Sequence, residues 1–241
     1  MIVVTRSRRG IPYIQKWFAR EAQPVDSIRF VVYYQYLGDR PALFLFKRSF
    51  TTLLVDLGMG AESIFAGMHR NVRNEIRRAD TEGISWETGF AVAEFLDFHA
   101  RFTREKGIGA VTGNQLASFG DALFLSRVAR EDRVLAQHAY IVDSSEQRAR
   151  FLYSSSGRFE GAESALVGRA NRWAHWKDML HFREKGIATY DFGGISTEKE
   201  DAALRGINEF KLRFGGRAVR EEHLYSAPYA LALRLAGLGI P

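Results

Sequence analysis

Gly186-Ile-Ala-Thr-Tyr-Asp-Phe-Gly-Gly194 and Gly206-Ile-Asn-Glu-Phe-Lys-Leu-Arg-Phe-Gly-Gly216 are the stretches that decide the fold. In the first, Gly186 ends a helix and the apolar run Ile187–Phe192 reads as a strand closed by two glycines. The second lies in a helical pattern over Ala203–Phe214 that stops at Gly215-Gly216. A long helical pattern precedes both, Ser164–Lys185, with apolar residues at 166, 170, 173, 176 and 180. A strand over Ala218–Tyr225 and a helical pattern over Tyr229–Ala236 follow. Strands and helices alternating at this spacing predict a mixed α/β layered fold.

Upstream, the apolar runs Arg29–Tyr36, Leu43–Phe46 and Thr51–Leu57 read as adjacent strands. Ala61–Asp80 reads as one helix and Ile84–Glu87 as a short strand. Phe90–Lys106 and Asn114–Leu125 read as helices, and Val134–Val142 with Ala149–Ser154 as paired strands across the polar turn 143–147. No proline falls between Pro41 and Pro228, so nothing interrupts these elements. Arg-Glu-Lys-Gly-Ile occurs at both 104–108 and 183–187. Shared helix-end chemistry explains the pair better than an internal repeat does.

The chain has 241 residues, with 46% hydrophobic and 26% charged, so it can build a large core without staples. It has no cysteine, which excludes disulfides, thiolate metal sites and a cysteine nucleophile. The net charge of +6 permits an anionic ligand or RNA without demanding either. No apolar run is long enough to span a membrane, and the opening residues lack the order of a secretory signal, so a cytoplasmic protein is expected. There is no P-loop and no nucleophile elbow, and the glycines at 107, 109 and 113 have the wrong spacing for a dinucleotide loop. The six histidines show no metal-ligand spacing, so no metal is expected. Asp-Phe-Gly at 191–193 stands without the other kinase motifs.

Several residues are candidates for chemistry. Lys211 falls inside the apolar stripe Leu204, Ile207, Phe210 and Phe214, about 40° from Ile207. A lysine there either snorkels or meets a phosphate or a developing oxyanion. Asp191 interrupts an apolar strand; it either pairs with a cation and caps the next turn, or orients a substrate amine. His138 shares a strand face with Val134, Ala136, Tyr140 and Val142, as a core residue or as a general base suited to neutral pH. Gly168, Asn171, His175 and Asp178 form a polar helix stripe, facing solvent or lining a cleft. Arg70, Arg73 and Arg77, with Arg78 adjacent, concentrate charge on one helix face, solvated or in contact with phosphates.

Gly186–Gly194, Gly206–Gly216, and Arg73-Asn-Glu-Ile-Arg-Arg-Ala79 followed by Gly83 together resemble the FemAB/FemX-like acyltransferases of the GNAT superfamily. The likeness covers roughly residues 60–225. It implies a mixed, mostly antiparallel GNAT-like sheet flanked by helices. The expected division is a shortened strand-rich N-terminal half over 1–82, an acyltransferase domain over 83–225 and a C-terminal helix over 226–241. The activity implied is N-acyl transfer to an amine, such as an amino sugar or another cell-envelope precursor, which can be nucleotide-linked. Acyl-CoA is the expected co-substrate. The alternatives are an aminoacyl-tRNA-dependent transferase acting on a peptidoglycan precursor, and a non-catalytic binding module. Two departures bear on the donor: no coiled-coil insertion is present, and the GNAT pyrophosphate loop is not found between Tyr153 and Arg169.

By this resemblance Lys211 faces the acyl donor or the developing charge, and Asp191 is the aspartate of the Gly-Gly strand. The expected base is His138, with Asp191 the alternative, and the oxyanion is met by Lys211 or a backbone N–H. Asn171, His175, Tyr153, Arg73, Arg77, Gly193 and Gly194 are the expected substrate contacts. No seam indicates an oligomeric state.

Overall fold

The computed structural model describes residues 1–39, 45–160, 163–195 and 202–238. The first part of the chain carries β1 (Ile2–Arg8), β2 (Ile11–Trp17), β3 (Val31–Tyr36), β4 (Leu45–Asp56), α1 (Ala61–Gly67) and α2 (Arg70–Ala79). The middle carries β5 (Ser85–Thr88), α3 (Val92–Lys106), α4 (Gly113–Ala117), β6 (Leu123–Arg130), β7 (Arg133–Asp143) and β8 (Arg148–Ser156). The last part carries α5 (Ser164–Glu184), β9 (Thr189–Gly194), α6 (Ala202–Leu212), β10 (Arg217–Ser226) and α7 (Ala227–Leu235). The fold is mixed α/β and mostly antiparallel, as expected. Of the strand pairs, β2/β3 and β8/β9 run parallel, and β1/β2, β3/β10, β5/β6, β6/β7 and β7/β8 antiparallel. Among the described residues no helix is long and apolar enough to cross a membrane.

The chain forms two compact units, Met1–Thr52 with Val219–Pro241, and Leu53–Ala218. The sequence reading instead divides it at 82/83 and 225/226. In the first unit, strands run in the order β1-β2-β3-β10. Val32, Tyr225, Tyr229, Ala230 and Leu233 form one of its buried clusters, with α7 closing over β3 and β10.

The second unit has the strand order β4-β9-β8-β7-β6-β5. On one face, α3 and α4 bury Phe95 and Leu116 against Leu125 and Ala139. On the other, α5 buries Leu166, Val167, Ala170, Ala174, Met179 and Phe182 in the main core. Burying each of the Leu, Val, Met and Phe side chains among them contributes roughly 1.5–3 kcal/mol. The outer side of α5 is tied to the end of α2: Trp173 Nε1 donates to Asp80 at 2.6 Å, and the Arg169 guanidinium forms a two-pronged pair with Glu82.

The repeated pentapeptide ends α3 and α5 in the same way. Gly107 and Gly186 take φ of 64° and 77°, and the next N–H, of Ile108 and Ile187, bonds back to Thr103 and Phe182, each at 3.0 Å. That is the Schellman ending, which needs glycine at its left-handed position. Gly215 and Gly216, at φ of 80° and 89°, serve close approach instead: a Cβ on Gly215 would come 2.8 Å from the Gly67 carbonyl, and one on Gly216 would collide with that of Leu54.

Four expectations change. Residues 2–17 form a hairpin that the sequence reading did not assign; alternation of buried Ile2 and Val4 with polar neighbours is short and diluted by arginine. The runs 43–46 and 51–57 were expected as two strands. Leu45–Asp56 is one strand, and residues 43 and 44 lie outside the described residues. The helix 61–80 is two helices. His69 is extended at φ −58°, ψ 143°, and its Nδ1 accepts the Asn71 N–H. The helix 114–125 is only the five-residue α4, after which β6 begins, because pairing with β7 overrides local helical preference.

Candidate functional site

The parallel pair β8/β9 is the origin of the site. It is registered only over Arg148–Arg150 against Thr189–Asp191, although β8 continues to Ser156 and β9 to Gly194. Beyond that register the strands part. Asp191 holds the fork: fully buried, it accepts from Arg148 Nη2 at 2.6 Å and Nε at 3.0 Å, and its other oxygen accepts the Gly193 N–H at 2.7 Å. Arg150 lies 3.7 Å from the same carboxylate, and its guanidinium fills the space that a Cβ on Gly193 would occupy.

Where the strands part, α5 and α6 wall a cavity of about 470 Å³. Phe151, Ser154 and Ser156 of β8 and Phe192 of β9 form its floor, and Asn171, His175 and Lys211 line it. Two further cations line it, Arg158 and Arg172. Both guanidiniums come within 3.4 Å of where a Gly168 Cβ would sit, so this α5 glycine leaves room for them. No carboxylate lines the cavity among the described residues. Of the polar stripe of α5, Gly168, Asn171 and His175 line the cavity and Asp178 is buried.

Lys211 reaches back from α6 and donates to the Gly194 carbonyl at 2.7 Å. Its pKa is pushed down to about 8, by burial first and then by the charge of Arg150, against the pull of Asp191.

Behind the cavity lies a buried hydrogen-bond network. Asp178 accepts from Trp86 Nε1 at 2.8 Å, from Tyr140 at 2.5 Å and from His138 Nδ1 at 2.7 Å. His138 Nε2 pairs with the Asn171 carboxamide at 2.9 Å. The Tyr140 and Tyr190 hydroxyls are 2.8 Å apart, and Tyr190 lies 2.6 Å from His175 Nδ1. His138, His175 and Asp178 each offer an atom within 4.8 Å of the others, a spacing that could hold an ion. His138 and Asp178 hydrogen-bond to each other and to Asn171, Tyr140 and Trp86, and His175 Nδ1 to Tyr190.

The structure thus brings Asn171, His175 and Lys211 together at one cavity and leaves other expected residues elsewhere. His138, the expected base, has both ring nitrogens engaged and does not line the cavity; Asn171 stands between it and that space. Asp191, the alternative base, is buried in an ion pair with Arg148 and a turn with the Gly193 N–H. Tyr153 faces α3 on the opposite side of the sheet, 5.7 Å from the His99 ring, because it lies one position out of step with Ser154 and Ser156. Arg73 caps α1, donating to the Ala66 and Met68 carbonyls at 2.8 and 2.5 Å. Arg77 lies over the Phe65 ring at 5.2 Å. Gly193 and Gly194 act through their backbones. Sequence reading missed Arg158, Arg172, Tyr140 and Tyr190 as site residues. Only Tyr140, two positions from His138 on the same strand face, carried a signal.

No model of a known protein family matches the sequence, and no curated protein matches it. Solved structures do. The crystal structure of FemX superposes with a TM-score of 0.67 at 12% identity, over 97% of this chain and 85% of that one. L-PGS from Bacillus licheniformis gives 0.62 at 13%, over 99% and 86%. The C-terminal domain of a candidate lysylphosphatidylglycerol synthetase from Agrobacterium fabrum gives 0.56 at 16%, over 87% and 72%. This chain shares the fold of FemX and L-PGS.

Proposed function

We propose that this protein is an N-acyltransferase that moves an acyl group from a phosphate-bearing activated donor, acyl-CoA, onto an amine. Amino sugars, free or nucleotide-linked, and other cell-envelope precursors are the proposed acceptors. The observation that carries this reading is the cavity at the β8/β9 fork, with Arg158, Arg172 and Lys211 on its walls and no carboxylate among its described lining. Three cations facing one space favour a ligand with several negative charges. Strand edges past the register offer backbone N–H and C=O groups to an amide-containing donor arm.

Attack of the amine on the acyl carbonyl places negative charge on the carbonyl oxygen. Lys211, protonated at neutral pH with a pKa of about 8, is the cation available to that oxygen. Asn171 and His175 face the acceptor. The second reading is an aminoacyl-tRNA donor, whose phosphates would suit the same three cations. A non-catalytic binding module is the third, and the lowered pKa of Lys211 favours it least.

The test is release of free thiol from acetyl-CoA and longer acyl-CoAs in the presence of a panel of amines, read with a thiol-reactive chromophore. The chain has no cysteine, so all signal comes from the donor. Amine-dependent thiol release is the expected result. Saturable CoA binding without turnover of any acyl-CoA would favour the binding module. Neither binding nor turnover, with transfer from aminoacyl-tRNA, would replace the donor.

A further inference from the structure

The hydrogen count of the buried network assigns a direction to it. Burial first, and then the charge of Asp178, push both the Tyr140 and the Tyr190 phenol well above their usual pKa, so each holds one proton and can donate once. Tyr140 spends its proton on Asp178. The Tyr140 oxygen must then accept across the 2.8 Å contact, so Tyr190 donates to it. Tyr190 has no second proton to give, and the 2.6 Å contact with His175 Nδ1 is therefore made by an N–H on the imidazole. A neutral His175 with its proton on Nδ1 carries a bare lone pair on Nε2. That atom is buried and has no hydrogen-bond partner. His175 lines the cavity at the fork, with Lys211 and Asn171.

An unpartnered buried nitrogen is costly unless something uses it. We infer that His175 Nε2 is the proton acceptor for the attacking amine, and that Tyr190, Tyr140 and Asp178 are positioning residues that hold it in the one tautomer able to do so. This rests on the acyltransfer reading above. In the step, the amine nitrogen forms a C–N bond to the acyl carbon, and the carbonyl π pair moves to oxygen beside Lys211. The nitrogen's surplus proton passes to His175 Nε2. The oxygen pair returns, the bond from carbon to the leaving sulfur breaks, and the leaving thiolate takes the proton back from the imidazolium. Donor and acceptor thus yield an amide and a free thiol, and the protein is unchanged.

The charges facing His175 set its working range. Burial lowers its pKa well below the usual value, and His138, Lys211 and Arg172 lower it further. That direction favours the neutral ring, which takes a proton from the acidic ammonium of the intermediate and gives it up again. His138 has partners on both nitrogens and no such opening, although the two rings lie 4.2 Å apart.

The test does not need the substrate. Nitrogen NMR of the full chain labelled in its six histidines, with the His175 signals assigned from a His175→Gln spectrum, reads the tautomer directly. We expect a neutral ring protonated on Nδ1 throughout pH 6–8 in the wild type, and loss of that single tautomer in Tyr190→Phe. A ring protonated on Nε2, or an imidazolium, would overturn the assignment. Once acyl-CoA turnover is in hand, His175→Gln is expected to lower kcat by about 10²–10⁴-fold while CoA affinity stays unchanged. Full turnover in that variant would overturn the base role. An Nδ1–H tautomer in a protein that turns over no acyl donor would overturn the acyltransfer reading, and the base role with it, while the tautomer itself would stand.

Discussion

Two cavities of the second unit have the same volume, about 470 Å³ each, and opposite character. One sits where β8 and β9 part and collects Arg158, Arg172, Lys211, Asn171 and His175. The other is walled by Leu54, Val55, Met59, Ile64, Phe214 and the Gly215-Gly216 turn, with Asp56 and Arg217 as its charges. Strand β9 touches both: Thr189 lines the second and Phe192 the first. The difference lies in the backbone. At the second cavity the glycines bring the turn into contact with the carbonyls of Leu54 and Gly67, so main chain is used up in packing. At the fork the strand edges separate, and cations from α5, α6 and the turn after β8 converge there. Volume alone would not tell these cavities apart; charge and unspent backbone do.

The comparison breaks most easily at the fork itself. Asp191→Ala breaks the buried ion pair with Arg148 and removes the acceptor of the Gly193 N–H, and is expected to cost about 3–5 kcal/mol of stability, read by chemical denaturation. A loss under about 1 kcal/mol would mean that the ion pair does not hold the fork. Next in size, Lys211→Met is expected to lower kcat by about 10²–10³-fold while the fold is kept. The pH profile checks the same residue. Only protonated Lys211 meets an oxyanion, and its pKa is about 8, so the rate should fall as pH rises through 8 and that limb should vanish in the variant. The effect on stability has the opposite sign: the unfolded lysine binds more protons between about 8 and its ordinary value, so this group's share of stability rises over that range.

A smaller effect separates the arginines from the second cavity. Arg172→Gln or Arg158→Gln should each weaken donor binding by about 10–100-fold, the scale of a charged hydrogen bond of roughly 1.5–3 kcal/mol. Smallest of all, Ser63→Leu partly fills the second cavity at an exposed position and should leave turnover within about twofold, as expected of a surface change away from the site. A tenfold loss there would erase the distinction between the two cavities.

Much of the second unit was legible because its signals are local. Gly107 and Gly186 announce the ends of α3 and α5, and the apolar spacing of α5 gives its buried face. The break at His69 was not legible, because Arg73 stabilises it from the following helix by capping α1. β6 was not legible either, since it owes its conformation to β7. At the site, Lys211 stood out as a charge on an apolar stripe, and Asn171 and His175 as a polar stripe on α5. His138 and Asp191 stood out for the same reason, a polar group among apolar neighbours, yet both prove internally satisfied. Sequence shows that such a group needs a partner. It does not show whether the partner is the protein or a ligand, because the answer depends on residues as far away as Trp86 and Arg148.

The most direct measurement is calorimetric titration of CoA into the wild type and into the Arg158→Gln/Arg172→Gln double variant. The account predicts saturable one-to-one binding by the wild type, weakened at least about tenfold in the variant. Binding that is untouched by loss of both arginines, or none up to millimolar CoA, would contradict the claim that the fork between β8 and β9 is the donor site.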